Sequence, residues 1–246
     1  MRDAWPPIRA AAEVGTGHLC LVGAGEYLEP MASVDRELLS LTPAAGTDRA
    51  PRVICLPTAA GTEGEAVVAR WMSMGIEHFR GLGADAMALR VIDRTTADDT
   101  ELEHVIGEAD LVYVSGGKPE HLLDSLAGTP AWRGVLRVLA RGGVVAGCSA
   151  GAMIMGGLVP SFPNVARRRP GFALVPGAIV LPHFDEFFAH LGRLARFGIP
   201  DGAYLLGIDG MTGLVVGADG WRVLGERRVV VEADRRREEY RAGDGG

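Results

Sequence analysis

Residues 142–155 read GGVVAGCSAGAMIM, and the parsing of this stretch decides the fold. Gly143 to Gly147 is a short apolar, β-branched run of strand character, and AMIM opens a helical run. Between them stands Gly147-Cys148-Ser149-Ala150-Gly151. Glycines on both sides of a serine permit a tight, strained strand-to-helix turn that lifts the hydroxyl above a sheet edge. A strand that runs straight into a helix is one unit of a parallel α/β sheet.

Working outward, further short aliphatic runs alternate with helical patterns. Strands are expected at His18 to Val22, Arg52 to Leu56, Ala86 to Val91 and Asp110 to Val114. Their lack of clean alternation is the mark of strands covered on both faces. Helices are expected at Ser33 to Leu41, Gly64 to Met74, Asp98 to Ile106, Pro119 to Leu126 and Pro130 to Ala140. Pro119 and Pro130 suit first helical turns, where a missing N–H costs nothing. Beyond Ser149 comes a Pro-, Gly- and Arg-rich loop, Val159 to Gly171, then an apolar run at Ala178 to Leu181 and a helix near Glu186 to Phe197. Strands near Tyr204 to Ile208, Leu214 to Val216 and Arg222 to Val231 read as a meander closing the sheet edge. The expected division is an N-terminal extension (1–17), one α/β domain (18–233) and a charged, solvated tail (234–246) carrying RRREEYR.

Composition narrows the function classes. The 246 residues carry 31 Asp plus Glu against 25 Lys plus Arg, a formal net charge of -6, which lacks the basic footprint of a nucleic-acid or anionic-membrane binder. No segment approaches the ~20 apolar residues of a membrane span, and no signal peptide is evident, so a cytoplasmic protein is expected. Three cysteines, Cys20, Cys55 and Cys148, are far apart with no CxxC, which fits reduced thiols better than disulfides or a metal site. GAGEYL after the first strand lacks the third glycine of a dinucleotide fingerprint, and GTEGEA lacks the lysine of a phosphate loop.

A serine hydroxyl needs an imidazole within reach to act as a nucleophile. His183 is the best placed of six histidines because it follows the apolar run AIVLP and so stands at a strand end. The amide of Ala150 opens the helix after Ser149, where donors face a developing oxyanion. Ser115-Gly116-Gly117 ends another strand and makes Gly117 a second candidate donor. Cys148, beside Ser149, is a competing thiol nucleophile.

With GCSAGAMIMGG at Gly147, VSGGKPEHLL at Val114, LPHF at Leu181, LPTAAGTEGE at Leu56 and LLGIDGMTGLVV at Leu205, the chain resembles the S51 serine peptidases, the family of peptidase E and cyanophycinase. The resemblance runs from about His18 to Val231. It implies a three-layer α/β sandwich with a mostly parallel central sheet, like class I glutamine amidotransferases and flavodoxin. It implies Ser149 as nucleophile, His183 as general base, the Gly117 and Ala150 amides as the oxyanion hole, a small peptide as substrate and no cofactor. Family members are commonly dimers, which leaves room for a homodimer.

The chain departs from the family in three places. Lys118 and Pro119 follow the GG turn where the family often has Asn or Asp and then Gln or Thr, so substrate contacts differ. The 33 residues between Ser149 and His183 contain no Asp or Glu. Gly210 stands where the family places an acid, leaving Asp209 beside it as the preferred triad acid and Asp185, at i+2 of the histidine, as the other. Arg168, within the run Arg167-Arg168-Arg169, would suit a substrate carboxylate; Lys118 is a further substrate-binding candidate; Glu26 would suit an amino terminus or an Arg side chain. Three functions remain. The first is a serine exopeptidase or isopeptidase for short, Asp-containing peptides; the second is a binding or regulatory member without the triad acid; the third is a thiol hydrolase or amidotransferase-like enzyme using Cys148.

Overall fold

A computed structural model of the chain describes residues 5–161, 164, 167–188, 199–233 and 236–246, with 187 and 188 as backbone. The first half alternates strand and helix: β1 (His18–Val22), α1 (Ala32–Ser40), β2 (Arg52–Leu56), α2 (Glu65–Gly81), β3 (Asp85–Ala88), α3 (Arg94–Ala97), α4 (Glu101–Gly107), β4 (Leu111–Val114), α5 (Pro119–Leu126), α6 (Pro130–Ala140) and β5 (Val144–Cys148). α7 (Ala150–Met155) follows Ser149 directly, and β6 (Gly156–Pro160), β7 (Arg168–Pro170) and β8 (Val175–Leu181) come next. After a short helical turn at Phe184–Phe188, the chain ends in β9 (Tyr204–Ile208), β10 (Thr212–Gly217), β11 (Gly220–Gly225), β12 (Arg228–Ala233) and β13 (Arg236–Arg241).

Two sheets result. The first has the order β11-β10-β1-β5-β4-β2-β3, in which β3, β2, β4, β5 and β1 are mutually parallel and β10 and β11 add antiparallel at one edge. Side chains of successive strand residues point to opposite faces, and the core divides accordingly. Leu19, Leu21, Ile54, Leu56, Val112, Val114 and Val145 pack with α5, α6 and α7. Cys20, Val22, Val53, Cys55, Tyr113 and Ala146 pack with Val34 and Leu38 of α1 and Phe79 of α2. Helices on both faces of a mostly parallel sheet are the three layers that the sequence led us to expect.

The C-terminal half departs from the expected meander. The second sheet has the order β13-β12-β9-β8-β6-β7, and β9 runs parallel to β8 within it, whereas β10 and β11 return to the first sheet. The stretch Arg222 to Val231, read as one strand, is broken at Glu226-Arg227 into β11 and β12, which belong to different sheets. The second sheet is not marginal: Ala178, Val180, Tyr204 and Leu206 join the same core cluster as α6 and α7. Residues 236–241, read from their charges as a solvated tail, form β13 and pair antiparallel with β12. A strand whose side chains are half-buried or exposed along its length, at the open edge of a sheet, has the alternating charges that discourage edge-to-edge association. Most of the helix expected near Glu186 to Phe197 lies outside the described residues.

The register explains where a site can form. Val22 stands opposite Cys148 and Val114 opposite Gly147, so β1, β4 and β5 end at one level on three adjacent parallel strands. Loops leaving the carboxyl ends of such strands share one crevice.

Candidate active site

Ser149 occupies the turn between β5 and α7 with φ 51° and ψ -109°, a left-handed conformation that is costly for a non-glycine residue. Its amide donates to the Val22 carbonyl at 3.0 Å, and its carbonyl accepts from the Met153 amide at 3.0 Å, which holds the turn between strand and helix. The flanking glycines are required by close approach. A Cβ on Gly147 would lie 2.5 Å from the Gly151 backbone, and one on Gly151 would collide with the Val114 carbonyl.

His183 arrives from the second sheet. β8 ends at Leu181, Pro182 stops the strand, and His183 turns with φ 49° while its amide donates to the Gly23 carbonyl, just beyond β1, at 3.3 Å. This turn sets the His183 Nε2 3.2 Å from Ser149 Oγ. The imidazole is one-third exposed, at 33%, so a small molecule can reach the pair.

Against the same serine lies the turn after β4. A Cβ on Gly116 would stand 3.1 Å from Ser149 Cβ. Gly117, at φ 141° and exposed, approaches Ala59 so closely that a Cβ would lie 2.5 Å from its carbonyl oxygen. Ala150 is the first residue of α7, whose first-turn amides have no intrahelical acceptor. Ser149, His183, Gly117 and Ala150 therefore meet at the carboxyl edge of β1, β4 and β5.

Asp209, Asp185 and Glu186 are held differently. Asp209 is buried after β9 and accepts from Arg228 Nε at 3.1 Å; burial pushes its carboxyl up, and the Arg228 guanidinium opposes that shift. Asp185 accepts from the Gly210 amide at 2.9 Å and ion-pairs with Arg227. Glu186, which the sequence reading passed over, has Oε2 3.7 Å from His183 Nδ1.

Residues 19–222 match the sequence model of peptidase family S51. The chain belongs to peptidase family S51. S51 is a family of serine peptidases. A peptidase from an acI-B1 Actinobacterium, known from its crystal structure, is 35% identical with a TM-score of 0.84, over 93% of this chain and 96% of that one. The cyanophycinase of Geminocystis herdmanii (strain PCC 6308) is 29% identical over 163 residues, 62% of this chain and 56% of that protein, so the match spans little more than half of that relative. The fold also matches a protein from Listeria monocytogenes EGD-e assigned to peptidase E, with a TM-score of 0.63 at 19% identity, over 85% of this chain and 98% of that one.

Within this S51 frame, Gly210 leaves ordinary van der Waals space, since a Cβ there would be 3.8 and 3.9 Å from the Asp185 carboxylate oxygens. Cys148 is fully buried, out of reach of a substrate, and burial together with the adjacent Glu26 carboxylate pushes its thiol pKa up. Glu26, read as a substrate contact, is 8% exposed and spends both oxygens inside the protein, on the Gly116 amide and the Cys148 thiol. Lys118 follows Gly117 directly, is exposed and makes no ion pair among the described residues. Arg168 is half-buried on β7, and burial lowers its pKa; Arg169 beside it pairs with Asp124 of α5. Among the described residues no group of three or more His, Cys, Asp or Glu could hold a metal ion, and no helix is long and apolar enough to cross a membrane.

Proposed function

We propose that this S51 member is a serine exopeptidase or isopeptidase that hydrolyses short, Asp-containing peptides through an acyl-enzyme. Ser149 Oγ attacks the carbonyl carbon while His183 Nε2 takes its proton, and the amides of Gly117 and Ala150 receive the charge that develops on the carbonyl oxygen. The imidazolium then passes the proton to the leaving amine, the C–N bond breaks, and a water activated by the neutral imidazole releases the acyl group. The single observation that carries this reading is the 3.2 Å separation of His183 Nε2 and Ser149 Oγ across two sheets.

Lys118 favours an acidic substrate: an exposed cation next to Gly117 attracts a carboxylate. The likeness to a cyanophycinase supports a peptidase reading as well. The test is a screen of Asp-X and β-Asp-Arg dipeptides against their uncharged Asn and Ala counterparts, with Ser149→Ala as blank. Preferential cleavage of the acidic set, absent in the blank, is expected. A folded wild-type protein that cleaves none of them, yet binds them, would identify a non-catalytic member instead.

A further inference from the structure

We propose that Glu26 and Tyr27 form a clamp that fixes the oxyanion turn against the nucleophile, and that Glu26 is a positioning residue for catalysis; the proposal rests on the peptidase reading above. The chain leaves β1 and reaches Tyr27 with φ 64°, a left-handed conformation rare for a bulky side chain and one that persists only where its surroundings impose it. Two consecutive side chains then grip two consecutive residues of the turn after β4. Glu26 Oε1 accepts from the Gly116 amide at 2.9 Å, and the Tyr27 hydroxyl bonds Ser115 Oγ at 3.0 Å. The other carboxylate oxygen, Oε2, accepts from the Cys148 thiol at 2.9 Å, one residue before Ser149.

One carboxylate thus ties β5, at the residue before the nucleophile, to the turn that presents Gly117. Among the described residues no Lys, Arg or His pairs with it, so its ties are hydrogen bonds to the two turns rather than a salt bridge. Its reach is set by contact as well, because a Cβ on Gly116 would lie 2.8 Å from Glu26 Oε1 and 3.1 Å from Ser149 Cβ. The three groups therefore cannot shift independently. An oxyanion donor works only when aimed at the position the charge will occupy, and displacement of the order of 1 Å can cost about 100-fold. Cys148 has a role here that is not nucleophilic: its thiol is the donor that anchors the carboxylate beneath the elbow.

The test compares wild type, Glu26→Ala, Glu26→Gln and Tyr27→Phe by kcat and KM on a cleaved Asp dipeptide, by the rate of fluorophosphonate labelling, and by hydrogen exchange at the Gly116 amide. Glu26→Ala should exchange that amide at least about tenfold faster and lose about 10- to 100-fold in kcat and labelling rate, with KM within about threefold. Glu26→Gln keeps an acceptor for Gly116 and a polar partner for Cys148, and should recover to within about fivefold of wild type. A rise in KM at unchanged kcat would make Glu26 a substrate contact and overturn the proposal, as would a glutamine variant as impaired as the alanine one. If Glu26→Ala does not fold, the isosteric Tyr27→Phe decides: a several-fold fall in kcat at constant KM supports the clamp, and an unchanged kcat overturns it. A wild-type protein that neither labels nor cleaves removes the peptidase reading and this proposal together, whereas normal labelling in a folded Glu26→Ala removes the proposal alone.

Discussion

Replacing Glu186 by Gln isolates how much an acid contributes to the histidine. The carboxylate oxygen stands 3.7 Å from His183 Nδ1, beyond hydrogen-bond length, and its side chain is 62% exposed. At that distance two unit charges interact by about 1 kcal/mol in water and about 4 kcal/mol at an effective dielectric of 20. Exposure puts Glu186 at the watery end, so about 1 kcal/mol of the stabilisation of the imidazolium formed during attack is lost on substitution. That corresponds to a fall of about five- to tenfold in kcat/KM, against about 10⁴ when an aligned, buried triad acid is removed. The assay is kcat/KM on an Asp dipeptide at low ionic strength and again at 0.5 M salt, where screening over a few ångströms should shrink the difference to about twofold or less. A loss of 10³ or more, or no loss at low salt, would refute the reasoning.

Three further outcomes follow from the geometry. Gly151→Ala forces a methyl into the Val114 carbonyl; a cost of about 1–3 kcal/mol is expected, seen as a melting point lower by about 3–10 °C together with slower labelling of Ser149. Cys148→Ala loses only the thiol donor to Glu26 and should leave Ser149 labelling within about tenfold of wild type, whereas an adduct mapped to Cys148 in Ser149→Ala would restore the thiol as nucleophile. Asp110, just before β4, is buried, which raises its pKa, but the two-pronged contact with Arg49 at 2.5 and 2.7 Å and the Arg52 amide at 2.8 Å outweigh this and hold it below the ordinary carboxylate range. A carboxyl depressed in the folded state binds fewer protons than in the unfolded one, so its stabilisation is present above about pH 4 and is lost as pH falls through the folded value. Asp110→Asn should therefore cost about 1–3 kcal/mol at pH 7 and flatten the acid limb of a denaturation series, which chemical melts between pH 2 and 7 would measure.

The first sheet was legible because its strands are buried on both faces, and runs of aliphatic and aromatic residues such as LVYV (111–114) carry that signal unaided. The second sheet was not. Sequence pattern marks 204–208 and 214–216 as strands but does not say that the first pairs with β8 and β12 and the second with β1, since those partners are distant in the chain. Ser149 and His183 could be singled out because glycine spacing and a strand end are local features, and the fold brings the two side chains within 3.2 Å. Glu186 was missed for a conformational reason. The expectation that Asp185 would share a face with His183 assumes a strand continuing past Pro182, whereas the backbone turns at His183 with φ 49° and enters a helical turn, in which i+3 replaces i+2 as the neighbour. Asp185 instead ties this turn to Gly210 and Arg227. Glu26 looked open to substrate because it follows a strand, and only the clamp on Ser115 and Gly116 puts it beneath the site.

The central claim is that the Ser149 hydroxyl is activated by the His183 imidazole. Intact-mass measurement of protein treated with a fluorophosphonate tests it most directly, with wild type, Ser149→Ala and His183→Gln compared at equal folded concentration. One adduct per chain on wild type, mapped to Ser149, with none on Ser149→Ala and labelling slowed at least about 100-fold on His183→Gln, is the predicted result. An unlabelled wild type, or an adduct that persists in Ser149→Ala or forms at full rate without His183, would contradict it.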